Sequence, residues 1–311
     1  MDMNDPDEGT GAHGLRIAMT GASGLIGASL TSLLRAAGHA VIPLVRRAPG
    51  HGEIGWDPAA GRIDSAALEG LDAVVHLAGE SIGDRRWTAA RKRRILESRT
   101  QGTGLLAGAL AQLGRRPAVL ISASAIGYYG DRGDERLDER SAPGEGFLPL
   151  VTRAWEAATA PAEAVGIRVV RTRFGIVLSA EGGALARMLP PFRAGVGGRL
   201  GSGDQYMSPV SLDDLVAAVH HCIQDARLRG PVNVTCPEPV TNQAFTRTLA
   251  AVLHRPAILP VPRVALRLAL GEMVDELLFA SARVEPAALL ASGYRFRHPT
   301  VESALRHVLA R

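Results

Sequence analysis

Scarcities in this 311-residue chain narrow its class before any motif is read. Cysteine occurs only as Cys222 and Cys236, without framework spacing. A disulfide-stapled extracellular scaffold is thereby excluded, and a reduced, cytoplasmic chain is the expectation. No apolar run approaches the roughly 18 residues a membrane helix needs, so no membrane association is expected. Residues Met1–Gly14 are acidic and polar and lack the basic-then-apolar order of a secretory signal, so they read as a loose tail. Lysine is nearly absent, Lys92 standing alone, and the net charge is only +4. The arginines therefore read as scattered surface charge rather than a basic groove. Aromatics make up 4% of the chain. Beyond Trp87 none is interleaved with the run Arg85-Arg86 and Arg91-Lys92-Arg93-Arg94, which reads as a solvated helix face, and no nucleic-acid partner is expected.

What remains is an ordinary globular composition, 46% hydrophobic and 21% charged, in a chain long enough for a sizeable core. Leu15–Thr20 is a short apolar run ending at a glycine turn, as a buried parallel strand should be. Leu25, Ile26, Leu30, Leu33 and Leu34 follow at helical spacing, with Gly38 as C-cap. Further strands are expected at Ala40–Val45, Asp72–Leu77, Ala118–Ser122 and Ile167–Arg173. Helices are expected at Thr88–Leu113 and Phe147–Ala164, and a loop around Gly55-Trp56-Asp57-Pro58. This alternation predicts an α/β fold, a Rossmann-type doubly wound parallel sheet over residues 15–178. After Leu178 glycine and proline punctuate the chain. A smaller C-terminal α/β region, residues 179–311, is expected to return partly to the main sheet, with Val264–Leu309 helical but broken near Pro286 and Gly293.

The turn Gly21-Ala22-Ser23-Gly24-Leu25-Ile26-Gly27 lies between the first strand and helix, the context a dinucleotide-binding loop requires. Gly21 permits the tight turn, Gly24 lets backbone approach a pyrophosphate, and Gly27 lets helix and strand pack closely. The helix start then offers unpaired N–H groups and its positive dipole end to phosphate. At the end of the second strand, where an NAD site usually offers a carboxylate to the ribose, stands Val45-Arg46-Arg47. An arginine fork matches a 2′-phosphate, so NADP(H) is the expected cofactor.

The glycine loop and His76-Leu77-Ala78-Gly79-Glu80 resemble extended short-chain dehydrogenase/reductases. Gly55-Trp56-Asp57-Pro58, Glu80-Ser81-Ile82, Arg86-Trp87, Ser98-Arg99, Ser122 to Gly130 and Trp155-Glu156-Ala157-Ala158 are similar to the YfcH-like epimerase family group of atypical members. Leu270-Gly271-Glu272-Met273 and Ser292-Gly293-Tyr294-Arg295-Phe296 resemble that group's C-terminal domain of unknown function. The resemblance implies that Arg46 lies near the 2′-phosphate, Leu77 and Ala78 beside the adenosine half, Arg99 near the cofactor and Ile176 near the nicotinamide. Leu77, Ala78 and Gly79 also sit at a strand's carboxyl end, where open sheets bind ligands.

Ordinary members of that superfamily use Tyr and Lys four residues apart on one helix face. None of Tyr128, Tyr129, Tyr206 and Tyr294 has a lysine four residues on. Aligning Trp155-Glu156 with the usual helix puts Leu148 and Thr152 at the two positions. Ser124, at a strand end, and Tyr128, in the loop after it, are the catalytic candidates that remain, with Glu80 and Glu145 as further pocket residues. Gly201 to Gln205, Val210 and Asp213-Asp214 look like a nucleotide-sugar grip, but the usual diphosphate-binding arginine falls at Met207; Arg193 and Arg199 are substitutes. Adjacent His220-His221-Cys222 point in different directions on a helix, so no metal site is expected. The reading is an NADP(H)-binding oxidoreductase or epimerase acting on an unknown small molecule. The alternative is a non-catalytic NADP(H)-sensing or regulatory protein, linked to cell division as are some relatives of this group.

Overall fold

Strand β1 (Arg16–Thr20) buries Ile17 and Met19 on one face and Ala18 on the other, so both faces must be covered. In the computed structural model, which describes residues 14–310, both are. The expected N-terminal tail, apart from Gly14, lies outside the described residues.

The chain runs through α1 (Leu25–Ala36), β2 (Ala40–Val45), β3 (Ile54–Asp57), β4 (Arg62–Ile63), β5 (Ala73–His76), α2 (Ala89–Ala111), β6 (Val119–Ala125) and β7 (Arg136–Leu137). Then come α3 (Phe147–Ala157), α4 (Ala160–Ala164), β8 (Arg168–Phe174), β9 (Ile176–Leu178), α5 (Gly183–Arg193), β10 (Tyr206–Met207), β11 (Pro209–Ser211) and α6 (Leu212–Gln224). The remainder is β12 (Gly230–Val234), β13 (Val240–Thr241), α7 (Asn242–Leu253), α8 (Arg263–Leu270), β14 (Arg283–Val284), α9 (Ala287–Ala291) and α10 (Val301–Leu309).

The main sheet has eight strands in the order β12-β8-β6-β5-β1-β2-β3-β4, every neighbour parallel except β3 with β4. Helices α1 and α6 close one face over Ile17, Met19, Val75 and Ile121, with Leu30, Leu34, Leu215 and Val219 fully buried. Helix α2 closes the other over Ala18, Val74 and Leu120, with Leu106 and Leu110. Each such leucine contributes about 1.5–3 kcal/mol by leaving water. From β1 the chain builds outward to β4, then returns to place β5 on the other flank of β1. At that reversal the connections after β1 and β5 leave in opposite directions, opening a crevice at the carboxyl edge.

Three local expectations differ. Ile54–Asp57 is a strand and not a loop, held only by Leu44 and Val45 of β2 and by the short β4, which explains its weak sequence signal. The helix expected over 147–164 splits, because Pro161 has no N–H to continue the ladder. The segment from 264 holds α8, β14, α9 and α10; β14 pairs with β7, while β12 lies beside β8 in the main sheet. Among the described residues no helix is long and apolar enough to cross a membrane.

Candidate functional site

The loop after β1 leaves no room for a side chain at Gly21 or Gly27. Gly21 has φ +69°, and a Cβ there would lie 3.1 Å from Ala78 N. A Cβ on Gly27 would lie 2.1 Å from the Gly21 carbonyl oxygen, inside any permitted contact. On Gly24 it would meet only that same carbonyl, at 3.4 Å, so this glycine faces open space. Helix α1 starts at Gly24 with no side-chain cap and no acidic residue in its first turn. Its first N–H groups, which include those of Leu25 and Ile26, therefore lack intrahelical partners and are left for an anion, with exposed Ser23 alongside.

Across β2 the two arginines have different fates. Arg47 donates to both oxygens of Glu53, at 2.6 and 2.7 Å, which holds the Glu53 carboxyl below its ordinary range. Arg46 is exposed and makes no hydrogen bond or ion pair among the described residues. It lines an open depression of about 380 Å³ together with Arg47, Gly55, Trp56, Asp57 and Arg62. Only Arg46 is thus an uncommitted guanidinium at the expected phosphate position.

The end of β5 is fixed by a buried chain of hydroxyls. Thr20 Oγ1 accepts from the N–H groups of Leu77 and Ala78, both at 3.1 Å. Its own hydrogen therefore goes to His76 Nδ1, 2.8 Å away, and His76 Nε2 donates to Thr103 Oγ1 at 3.0 Å. Burial pushes the His76 imidazole down to about 4, so it is neutral, as this tautomer requires. Beyond it, Arg99 lies under Gly79, donates to the Glu80 carbonyl at 3.0 Å, and stacks 4.9 Å over the Trp155 ring. Burial lowers its pKa to about 10, with the Glu80 charge opposing. The sequence alone offered Arg99 as one more surface charge. The fold makes it a largely buried cation without a carboxylate bond.

At the end of β6 the geometry separates the two catalytic candidates. Ser124 is 2% exposed and donates to Glu156 Oε1 at 2.7 Å. Glu156 receives Arg173 on both oxygens, at 2.7 and 2.9 Å, because β6 and β8 pair Ser124 with Arg173. Arg173 also donates to the Tyr129 hydroxyl at 3.0 Å, and that hydroxyl lies 2.8 Å from both Asp138 O and Asn233 Oδ1. Burial pushes Tyr129 up to about 12, with Arg173 opposing. Tyr128 differs: its ring lies 3.5 Å above the Arg173 guanidinium, and its hydroxyl has no hydrogen bond among the described residues. Leu148 and Thr152 are buried on α3, and the Thr152 hydroxyl donates to the Leu148 and Pro149 carbonyls. Neither presents a proton to a ligand. Ile176 begins β9 just past the end of β8, with its N–H on the Ser208 carbonyl at 3.0 Å.

The basic run is where the structure departs furthest from expectation. Arg85, Arg93 and Arg94 are exposed as expected, but three members of the run are engaged elsewhere in the chain. Arg91 is 6% exposed and binds Glu80 and the Ser81 carbonyl. Lys92 pairs with Glu272 at 2.6 Å, and Arg86 holds the Leu268 and Ala269 carbonyls at the end of α8. Glu276, also from this segment, accepts from Phe147 and Leu148 N–H at 2.9 and 2.7 Å and so caps α3. The positive charges fasten a C-terminal strap over the loop after β5. Of the other pocket residues, Glu80 is taken up by Arg91, and Met207 Sδ lies 3.4 Å from Asn242 Nδ2. The His220, His221 and Cys222 side chains diverge as their spacing requires: His220 meets His39, His221 meets Ser292, and Cys222 is buried.

Sequence reasoning missed Glu156 and Arg173 as a pair. The available signal was Arg173 within an interior parallel strand, since a cation there demands a buried partner.

Comparison with known proteins gives a consistent picture. Residues 17–235 match the NAD dependent epimerase/dehydratase family, and residues 261–308 match a domain of unknown function, DUF1731. The epimerase family protein Mb2239 of Mycobacterium bovis is 47% identical over 296 residues, spanning 95% of this chain and 98% of its own length. Human epimerase family protein SDR39U1 is 36% identical over 301 residues, spanning 95% of this chain and 100% of its own. The crystal structure of human SDR39U1 (isoform 2) with NADPH matches with a TM-score of 0.87 at 33% identity, covering 96% of this chain and 100% of that one. The Rossmann-type sheet, the glycine loop after β1 beside the end of β5, and these matches agree: the chain belongs to the NAD dependent epimerase/dehydratase family.

Proposed function

We propose that this protein binds NADP(H) and uses it to reduce or oxidise a small carbonyl or hydroxyl compound. The observation that carries the cofactor choice is the division of labour between Arg46 and Arg47, one open and one neutralised by Glu53. The NADPH in the human SDR39U1 structure supports the same choice. Bound NADP(H) supplies or accepts a hydride at its nicotinamide ring. The amides of the Gly21–Gly27 loop, with Ser23, Leu25 and Ile26, hold the pyrophosphate at the positive end of α1. Arg46 takes the 2′-phosphate, Leu77, Ala78 and Gly79 line the adenosine half with Arg99 beneath them, and Ile176 borders the nicotinamide end.

For the proton, the hydroxyls divide by their partners. Ser124 has its hydrogen on Glu156, so it offers only lone pairs and orients a substrate hydroxyl by accepting from it. The Tyr128 hydroxyl has no acceptor among the described residues and its ring is held against Arg173, so it is the proton donor to the substrate oxygen in the reducing direction. The buried Leu148 and Thr152 favour a second reading, a cofactor-sensing protein without turnover.

One experiment separates them. NADPH-loaded protein is screened against aldehydes, ketones and nucleotide-sugar ketoses, following loss of reduced-nicotinamide absorbance. Turnover that falls about 10²–10⁴-fold in Tyr128→Phe, with NADPH affinity unchanged, is the expected result. Tight NADPH binding with no turnover of any carbonyl, or full activity in Tyr128→Phe, overturns the catalytic assignment.

A further inference from the structure

Away from the crevice, α6 and α10 bring together three side chains that the site above does not use. Asp213 lies in the first turn of α6, His298 in the loop before α10, and His307 on α10 itself. Each offers a ligand atom, and these atoms all lie within 4.8 Å of one another, the one such cluster of three among the described residues. The two imidazoles stack with centroids 4.1 Å apart and planes 22° from parallel, and His307 Nε2 is hydrogen-bonded to Asp213 Oδ2. All three residues are half-buried.

The scaffold beneath them is rigid. The buried carboxylate of Asp214 accepts from the N–H groups of Arg297 and His298, at 2.7 and 2.9 Å, and from the Ser211 hydroxyl at 2.9 Å. Thr300 and Ser303 form a capping box that sets the start of α10, whose other face buries Val301, Leu305 and Val308. The backbone carrying His298 and His307 is therefore fixed before any ion arrives, and only side-chain torsions remain to adjust.

We infer that Asp213, His298 and His307 form a binding site for a borderline divalent transition metal, with Zn²⁺ its best-suited occupant. Two imidazole nitrogens and one carboxylate are the donor set that zinc accepts in three-ligand sites, with water completing the shell. Magnesium and calcium prefer all-oxygen shells and are not suited to it. Bound donors about 2.0–2.2 Å from zinc stand roughly 3.4 Å apart, so the hydrogen-bonded His307–Asp213 pair opens to admit the ion while side-chain rotation brings His298 inward. Zinc takes the place of the proton between His307 and Asp213 and draws His298 into the same shell, tying α10 to α6. No contiguous motif announces this site, because the ligands come from two ends of the C-terminal region. The inference is independent of the cofactor reading.

The full-length chain, stripped with a chelator and dialysed, is titrated with Zn²⁺ against a chromophoric zinc chelator. One equivalent is expected, with Mg²⁺ unable to compete and Co²⁺ giving visible ligand-field bands. Losing even an outer-shell partner of a metal costs about 10–100-fold in affinity. Each of His307→Ala, His298→Phe and Asp213→Asn is therefore expected to weaken Zn²⁺ at least that much. His298→Phe keeps a stacked ring and removes only the nitrogens, so it remains informative if His307→Ala fails to fold. Absence of stoichiometric zinc uptake by the wild type, or uptake unchanged in His298→Phe, overturns the site.

Discussion

Replacing Arg46 with alanine is the sharpest test of how this crevice chooses its cofactor. Arg46 is exposed at the end of β2 with no partner among the described residues, so its removal leaves no buried group unsatisfied and disturbs no packing. Folding stability should stay within about 0.5 kcal/mol of the wild type. The loss falls on a charged hydrogen bond to the 2′-phosphate, about 1.5–3 kcal/mol. Exposure to solvent and salt favours the lower end, which corresponds to roughly a tenfold rise in Kd for NADPH. NADH, lacking that phosphate, should bind the variant as it binds the wild type. Arg47→Ala is the internal control: its guanidinium is already occupied by Glu53, so it should affect NADPH much less. Titration by the fluorescence of the reduced nicotinamide at low and high salt reads all three proteins. If Arg46→Ala weakens NADPH and NADH equally, or Arg47→Ala is the more damaging change, the phosphate assignment is wrong.

Other perturbations follow from the same geometry. Glu156→Gln leaves Arg173, whose side chain is 3% exposed, without its counter-charge. A cost of about 3 kcal/mol is expected, a fall in Tm of roughly 5 °C by calorimetry, and an unchanged Tm would remove the network from the stabilising account. Gly27→Ala puts a Cβ 2.1 Å from the Gly21 oxygen, so the loop must move; NADPH binding should be lost while circular dichroism stays native. His76 has a folded pKa of about 4, below the 6.5 of an unfolded histidine, so the unfolded chain takes up a proton that the native state refuses. Its contribution is complete above pH 6.5 and declines by about 3 kcal/mol as pH falls to 4. Urea melts between pH 5 and 6.5 should show a shallower slope in His76→Gln, and an identical slope would place the titration elsewhere.

Legibility from the sequence follows how local each feature is. The glycine loop was readable because strand, turn and helix start are contiguous, and its steric logic lies in spacings of three residues. Arg46 was singled out only by the family resemblance; the physical distinction from Arg47 rests on Glu53 and on how Gly50 turns the chain back toward it. The Ser124–Glu156–Arg173 contact was illegible because it depends on the β6–β8 register and on how α3 packs beside it. The partners of Arg86, Arg91 and Lys92 in the basic run were illegible for the same reason, while Arg85, Arg93 and Arg94 are exposed as expected. Charges on a helix look solvated until Glu80, Glu272 and the end of α8 arrive from other parts of the chain. The strand at Ile54–Asp57 failed differently: only two residues of β2 pair with it, and so short an edge leaves little pattern to find.

Glu276 also imposes an order of birth on the molecule. Synthesis proceeds from the N-terminus and domains tend to fold as they emerge. The loop after β1 and the strands around it can therefore assemble while later residues are still being added. The acceptors for Phe147 and Leu148 come from Glu276, near the far end. Until that residue emerges, the first turn of α3 has only water to satisfy it. The cradle for the cofactor is thus complete well before the helix beside Tyr128 is. A nascent or truncated chain ending near Thr235 would hold a ligand against an unfinished wall.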